Sequence, residues 1–476
     1  MKAMRIGGKL RRIRQDRSLN QAQMAVALDI SPSYLNLLES NQRPVTVNIL
    51  LRLADRFGLD VASLAQDDDQ RLNAALLEAF SDPIFEAADV KTSDIRDLAS
   101  SLPNVGRAIL DLYDAYRRSP ARSGALNVGE DSAESPAMAI PSEEVTEFIQ
   151  RRLNHFPELE EAAENLWVEH GLAIHTLQRD LIQLLATRYA VDVEIAQVGS
   201  MGGALRHYNP LNRRLELSEM LPLPSRTFQL AHQIAFLGFR RDIEAIVSSG
   251  KFSTPEADAL ARSALANYFA AAVMTPYQRF VEAARSTRYD INVLQHRFGV
   301  SFEQVCHRLT TLRRRGHEGI PFHLIRVDIA GNISKRYSAS GIHIARFGAA
   351  CPRWNVYDAF ATPGMLRVQV SQMPDGTRYF CVARTIRPSG RGVGRSAILQ
   401  PGGQLAIGLG TSIQHAREIT YADGLNLDDP QIITPIGVSC RTCPRNDCAD
   451  RAVPSLFQKL EIDENRRGMS TYAKAG

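Results

Sequence analysis

Residues 19–44 read LNQAQMAVALDISPSYLNLLESNQRP, the pattern of two short amphipathic helices joined by a tight turn. Asn20 is placed to cap the first helix, whose inner side is Met24, Ala25 and Leu28. Asp29 and Ile30 supply the turn. Ser31 caps the second helix, Pro32 suits its first turn, and Leu35, Leu37 and Leu38 form its buried side. Ile6, Leu10 and Ile13 mark an earlier helix, and residues 47–57 a later one ending at Gly58. A short helix with a polar N-terminal half fits the major groove of duplex DNA, where base edges present distinct donors and acceptors. Ser31, Ser33, Tyr34 and Asn36 are the candidates for groove contacts. Gln21, with the free N–H groups at its helix start, is a candidate for holding a phosphate, and Asn41 and Arg43 are further backbone anchors.

The charge distribution agrees. The chain of 476 residues carries only +4 overall, but residues 1–60 hold ten Lys or Arg against five acids, so the rest sums to −1. A polyanionic partner meets the N-terminus. With 44% hydrophobic and 23% charged residues the chain buries ordinary globular cores, and its length calls for several domains. No stretch approaches the ~18 to 20 uninterrupted apolar residues of a membrane span, and the basic start MKAMRIGGKLRRIRQ lacks an apolar signal core. We expect no membrane and a cytoplasmic location.

Five segments follow from texture. Residues 1–66 are the helix-turn-helix domain; 67–118, with LNAALLEAF and VGRAILDLYDAYRR, are a helical connector suited to dimerisation. Residues 119–142 are rich in Ser, Pro, Ala and Gly and read as a flexible linker. Residues 143–319 mix helices with the strand VDVEIAQV and a hairpin around Asn209-Pro210; residues 320–476 turn to short alternating strands such as RYFCVARTI and QLAIGLG. The fold class is multidomain α+β: an all-α N-terminal domain, a helical region, an α+β domain and a strand-rich, cysteine-containing C-terminal domain.

Two chemistries stand out in the second half. In His232-Gln233-Ile234-Ala235-Phe236 an apolar helix carries one imidazole where a zinc hydrolase helix needs two, one turn apart, with a Glu to activate water. Gln233 and Phe236 occupy the Glu and second His positions, so a working peptidase is not expected. Such a cleft keeps its concavity without its metal, and Arg206, Tyr208, His232 and Tyr268 are its candidate ligand-binding residues. Cys440, Cys443 and Cys448 form a C-x2-C-x4-C run, and Cys351 lies 89 positions before Cys440. Three thiols in a turn-rich loop with a distant fourth suit a metal centre, either iron-sulfur or zinc. The lack of a second C-x2-C knuckle tilts the reading to iron-sulfur. Arg441, Arg445 and Arg451 are placed to offset thiolate charge. Cys306 and Cys381 read as buried small apolar residues.

Residues 5–60 resemble the XRE-type repressors, and HQIAF with SALANYFAAAVMTP resembles the ImmA/IrrE-like metallopeptidases without their ligands. Together with RFGVSFEQVCHRLTTL, PFHLIRVDIAGNISKR, ARFGAACPRWNVYDAF and PIGVSCRTCPRNDCADRAVP, the order of parts resembles the short-chain fatty acyl-CoA regulator family of bacterial transcription factors. That resemblance implies a non-enzymatic regulator of propionyl-CoA or acetyl-CoA metabolism that binds promoter DNA, with an acyl-CoA or CoA effector. It also implies a four-iron four-sulfur cluster on Cys351, Cys440, Cys443 and Cys448. We expect a homodimer or higher assembly whose two reading heads engage paired half-sites. The competing readings are a zinc-dependent ImmA/IrrE-like peptidase regulator and a zinc centre in place of iron-sulfur.

Overall fold

The computed structural model describes residues 10, 14, 19–39, 43, 45–46, 49, 52–53, 56, 68–82, 84–85, 90–117, 141–344, 350–387, 403–455, 469–470 and 472. The chain divides into two compact units, Met1–Arg117 and Arg118–Gly476. The proposed linker lies outside the described residues except for Pro141 and Ser142, which open a helix.

In the first unit, Gln21–Ala27 (α1) and Pro32–Glu39 (α2) form the expected pair. Asn20 caps α1 reciprocally: its Oδ1 accepts from the Gln23 N–H at 2.8 Å, and Gln23 Oε1 accepts from the Asn20 N–H at 2.9 Å. The turn places Asp29 at φ 51°, a left-handed conformation. The Ser31 hydroxyl accepts from the Tyr34 N–H at 3.1 Å and starts α2. Leu10, Met24, Ala25, Leu28, Leu35, Leu38, Val45, Ile49 and Leu53 make the core, while Leu37 is only half-buried. Most of the first and fourth helices expected here lies outside the described residues. Asp68–Ala79 (α3), Thr92–Ser101 (α4) and Pro103–Arg117 (α5) follow. Gly106 lets α5 close on α3, since a Cβ there would stand 3.1 Å from the Leu76 side chain. The outer side of α5 carries exposed Val105 and Leu112, with Leu102 just before it.

The second unit opens with helices Pro141–Arg151 (α6), Pro157–His170 (α7) and Leu177–Tyr189 (α8). A small sheet follows from Asp192–Ala196 (β1), Arg206–Asn209 (β2) and Arg214–Ser218 (β3). Strands β2 and β3 are the expected hairpin; β1 joins β3 in parallel, giving the order β1-β3-β2. Then come Leu223–Gly238 (α9), Arg240–Gly250 (α10), Pro255–Met274 (α11), Tyr277–Ser286 (α12), Ile291–Phe298 (α13) and Phe302–Leu309 (α14).

The larger sheet uses Phe322–Asp328 (β4), Ile333–Ser338 (β5), Arg367–Gln372 (β6), Arg378–Ile386 (β7), Leu405–Ser412 (β8) and Ile433–Pro435 (β9). Its order is β5-β4-β8-β7-β6-β9, antiparallel except where β9 joins β6. Both faces of its central strands β4, β8 and β7 are buried. Phe322, Leu324, Phe380, Val382, Ile407 and Leu409 belong to the core that also holds α7, α9, α11 and α12. The alternate residues Ile325, Val327, Tyr379, Cys381, Ala383 and Ala406 meet Cys351, Trp354, Val356 and Ile436 on the other side. Period-two alternation therefore makes one sheet a wall between a helical layer and a cysteine-bearing layer. One apolar core runs across the change of texture at residues 319–320.

The connection into that sheet is fixed by a buried ion pair. Arg308 on α14 and Glu160 on α7 are each 1% exposed, and Arg308 Nη2 donates to Glu160 Oε2 at 2.9 Å. Tyr268 donates to the same carboxylate at 2.6 Å, and Arg308 Nε donates to the Thr275 carbonyl at 3.0 Å. Burial pushes the Glu160 carboxyl up, but the Arg308 charge and hydrogen bonds outweigh it and hold it below the usual carboxylate range. Removing one partner strands the other charge. Arg308→Met is expected to cost about 3–5 kcal/mol, and the double variant Glu160→Leu/Arg308→Met to recover most of it. Urea midpoints of the full chain check this; a single variant as stable as the parent contradicts it.

Candidate functional site

The DNA-facing candidates lie on the first unit. Ser31, Ser33 and Asn36 are exposed and Tyr34 half-buried along the N-terminal half of α2, as a groove-reading helix requires. Gln21 serves a different end: its Nε2 donates to Glu39 Oε2 at 3.1 Å. Glu39 is buried and also takes Arg14, with Nε to Oε1 at 2.7 Å and Nη2 to Oε2 at 3.2 Å. The hydrogen bond and charge of Glu39 hold the Arg14 guanidinium above its ordinary pKa, against the pull of burial. Gln21 thus locks the start of α1 to the end of α2, and its backbone is what remains for a phosphate. Arg43 is exposed, its N–H bonded to the Leu37 carbonyl at 3.1 Å; Asn41 lies outside the described residues. Arg52 donates to the Leu28 carbonyl at 2.8 Å, satisfying the C-terminal end of α1.

In the peptidase-like region, His232 and Gln233 are buried on α9. The β2 residue Arg206 reaches His232 Nδ1, and the imidazole also bonds the Ser263 backbone on α11. Burial and the Arg206 charge push the His232 pKa down to about 3, so the ring is neutral and takes the guanidinium hydrogen bond as an acceptor. A guanidinium thus stands at the imidazole nitrogen, with Phe228 and Phe236 rings 6.4 and 5.0 Å from the imidazole. Arg206 is mostly buried and has no carboxylate partner among the described residues. Tyr208 is half-buried on the same strand. Tyr268 is not brought to this cleft: its hydroxyl is spent on Glu160, the Phe156 N–H and His155.

The cysteine layer is built on the loop after β9. All six cysteines are free thiols. The Cys351 N–H donates to the Val438 carbonyl at 3.0 Å, and Trp354 Nε1 to the Gly437 carbonyl at 3.0 Å, so two separate segments are stitched together. A Cβ at Gly437 would fall 2.9 Å from Cys443 Sγ, which keeps that position small. Burial raises the Cys351 thiol pKa, backbone N–H groups of Arg353 and Gly437 lower it, and Cys440 and Cys443 act on it as neighbouring charges. Cys443 is raised by burial, eased by Arg445 and Arg451, and adjoined by Cys448. The four thiols are electrostatic neighbours, although among the described residues no three His, Cys, Asp or Glu side chains close on one metal-sized point. Four soft donors, backbone N–H groups aimed at sulfur, the buried Arg451 and the half-buried Arg445 fit a thiolate-bound metal or cluster. Cys381 and Cys306 are buried as expected, and Cys381 Sγ lies 3.7 Å from His323 Nε2.

Three family models match consecutive stretches of this arrangement: a helix-turn-helix over residues 10–64, an IrrE N-terminal-like domain over 186–310, and the C-terminal domain of the short-chain fatty acyl coenzyme A regulators over 311–472. The transcriptional regulator RamB of Mycobacterium tuberculosis is 39% identical over 471 residues, 98% of each chain. The chain belongs to the short-chain fatty acyl-CoA regulator family. Another Mycobacterium tuberculosis relative of this regulator, PrpR, is 41% identical over 470 residues, 98% of this chain and 95% of its own. The propionyl-CoA carboxylase regulator of Cereibacter sphaeroides is 40% identical over 473 residues, 98% of each. A solved Mycobacterium tuberculosis transcriptional regulator has a TM-score of 0.67 at 42% identity, covering 70% of this chain and all of that one. No described helix of the regulator is long and apolar enough to cross a membrane.

The regulator also holds residues that sequence reading passed over: Glu39 and Arg14, Glu160 and Arg308, and His323. His323 sits on β4 with Nδ1 2.7 Å from the Ser340 hydroxyl, and burial pushes its pKa down to about 3. Since His232 and His323 refuse a proton that the unfolded chain accepts near pH 6.5, their stabilising contribution is full above that pH and is lost as pH falls towards 3. Each is expected to cost roughly 2 kcal/mol by pH 5. Urea midpoints measured from pH 7.5 to 5 should fall, and His232→Gln should fall less steeply. A flat profile contradicts the assignment.

Proposed function

We propose that this regulator binds promoter DNA through α2, and that short-chain acyl-CoA and a thiolate-held metal centre govern that binding. The observation that carries the reading is the exposed Ser31, Ser33 and Asn36 on a capped helix within the basic end of the chain. Phosphate contacts from Arg43 and its neighbours give salt-dependent affinity, and the α2 side chains read base edges. A palindromic operator calls for two copies, and the exposed Leu102, Val105 and Leu112 on and beside α5 support a homodimer of the first unit. The setting is the cytoplasm, where promoters are accessible.

The effector is an acyl-CoA or CoA, propionyl-CoA and acetyl-CoA foremost; the Cereibacter sphaeroides relative is named as a regulator of propionyl-CoA carboxylase, which favours the first of these. A mostly buried guanidinium without a carboxylate favours an anionic ligand, and Phe228 and Phe236 offer apolar surface beside it. Arg206, His232 and Tyr208 remain the ligand-binding residues of this reading; Tyr268 does not. The ligand acts only through a difference in affinity between the DNA-competent arrangement and its alternative. Hydrolysis has no support in the cleft, because Gln233 cannot serve as a base, Phe236 supplies no second imidazole and Arg206 occupies His232 Nδ1.

Cys351, Cys440, Cys443 and Cys448 are the residues that would hold a four-iron four-sulfur cluster. Such a group supplies one-electron redox chemistry and cross-links the segments that carry its ligands. A single C-x2-C knuckle favours iron-sulfur over zinc.

Two measurements test the proposal. Propionyl-CoA, acetyl-CoA and CoA are titrated into a promoter-fragment binding isotherm, and at least one is expected to shift it; three unmoved isotherms contradict the effector. Anaerobically purified protein is expected to show visible charge-transfer absorption that Cys443→Ser bleaches. A colourless protein with stoichiometric zinc would replace the iron-sulfur reading by the zinc one.

A further inference from the structure

We propose that Arg451 is the positioning residue of the cysteine loop, a buried guanidinium that ties the three loop cysteines together through their backbone. The inference rests on the reading of the four thiols as one centre. Arg451 is 5% exposed. Its Nη1 donates to the Cys440 carbonyl at 2.8 Å and the Val453 carbonyl at 3.3 Å, and its Nη2 to the Cys443 carbonyl at 2.9 Å and the Arg445 carbonyl. Its own N–H bonds the Cys448 carbonyl at 3.2 Å, and Ser470 donates to its carbonyl at 2.8 Å. One residue is thus bonded to all three cysteines of the C-x2-C-x4-C run.

The other two arginines of the loop are placed differently. Arg441 is exposed, and Arg445 donates outward to the Ile436 carbonyl at 3.3 Å and the Gln372 carbonyl at 3.0 Å, fastening the loop to the end of β6. Arg451 alone of the three is buried inside the loop. Its guanidinium touches neutral carbonyls, and no carboxylate pairs with it among the described residues; the nearby Asp450 pairs with Arg353. A cation taken out of water without an anion is unfavourable. Cys440 and Cys443, whose carbonyls it holds, would supply that anion once a bound metal had taken their thiol protons. The forked, planar geometry is what lets one side chain reach four carbonyls, and a lysine ammonium has no such fork.

The test uses the full chain with Arg451→Gln and Arg451→Lys, each verified as folded by its far-UV spectrum. Metal release to a chelator is expected to be about ten-fold faster or more in both, the scale seen when outer-shell partners of ligands are lost. In a redox-active centre the midpoint potential falls in Arg451→Gln, because a positive charge that favours the reduced form is gone, and stays nearer the parent in Arg451→Lys. Release from either variant at the parental rate overturns the proposal. Limited proteolysis of chelator-treated protein is the second readout: cleavage within 440–455 is expected to quicken in both variants, and unchanged cleavage overturns it. A parent protein lacking bound metal sinks the centre itself, and the proteolysis then decides the role of Arg451 independently.

Discussion

The second unit depends on a sheet whose central strands are buried on both faces. Strand β7 shows the constraint most clearly: Phe380 and Val382 enter the helical core, while Tyr379, Cys381 and Ala383 enter the cysteine-bearing layer. A strand with one wet face tolerates polar alternation, but here each residue answers to a packed layer. A one-residue slip would push Cys381 into the helices and Val382 towards the thiol layer. The sheet therefore serves as the common support of the two regions that the proposed function treats as sensors.

Buried polar groups then fix how those layers meet. Glu160 and Arg308 join α7 to the end of α14, just before the chain turns into β4, and Tyr268 and Thr275 complete the bonding from α11 and its end. Such a pair adds less to stability than its Coulomb attraction implies, because both charges must leave water. Its effect is orientational: breaking it strands a charge, so other arrangements of α7 and α14 are penalised. Arg14, Gln21 and Glu39 repeat the logic on a small scale in the reading head, holding α1 against α2 so that Ser31, Ser33 and Asn36 remain outward.

Much of this was legible in the sequence where the signal is local. Asn20, Ser31 and Pro32 mark helix starts within a few residues of the turn they cap, and strand alternation in RYFCVARTI gives both faces of β7. Long-range pairings were not legible. Glu39 meets Arg14 across 25 residues and Arg308 meets Glu160 across 148, and nothing in either flank names the partner. Tyr268 reads as a pocket residue because it lies on an apolar helix near the cleft sequence, but helix α11 turns its hydroxyl to Glu160 instead. Gln21 reads as a phosphate contact and is used inside the reading head for the same reason: a side chain's direction is set by packing. The parallel addition of β1 to β3 also escaped, since alternation gives a strand and not its neighbour.

The proposed control of DNA binding by the cysteine layer requires the shared sheet to carry a change in that layer to the helical layer. Amide hydrogen exchange, compared between the anaerobic parent and Cys443→Ser, tests it most directly. The account predicts faster exchange in the variant along β6 and β7 and onward into α13 and α14, beyond the loop at 437–453. Faster exchange confined to that loop, with the strands and helices unchanged, would contradict it.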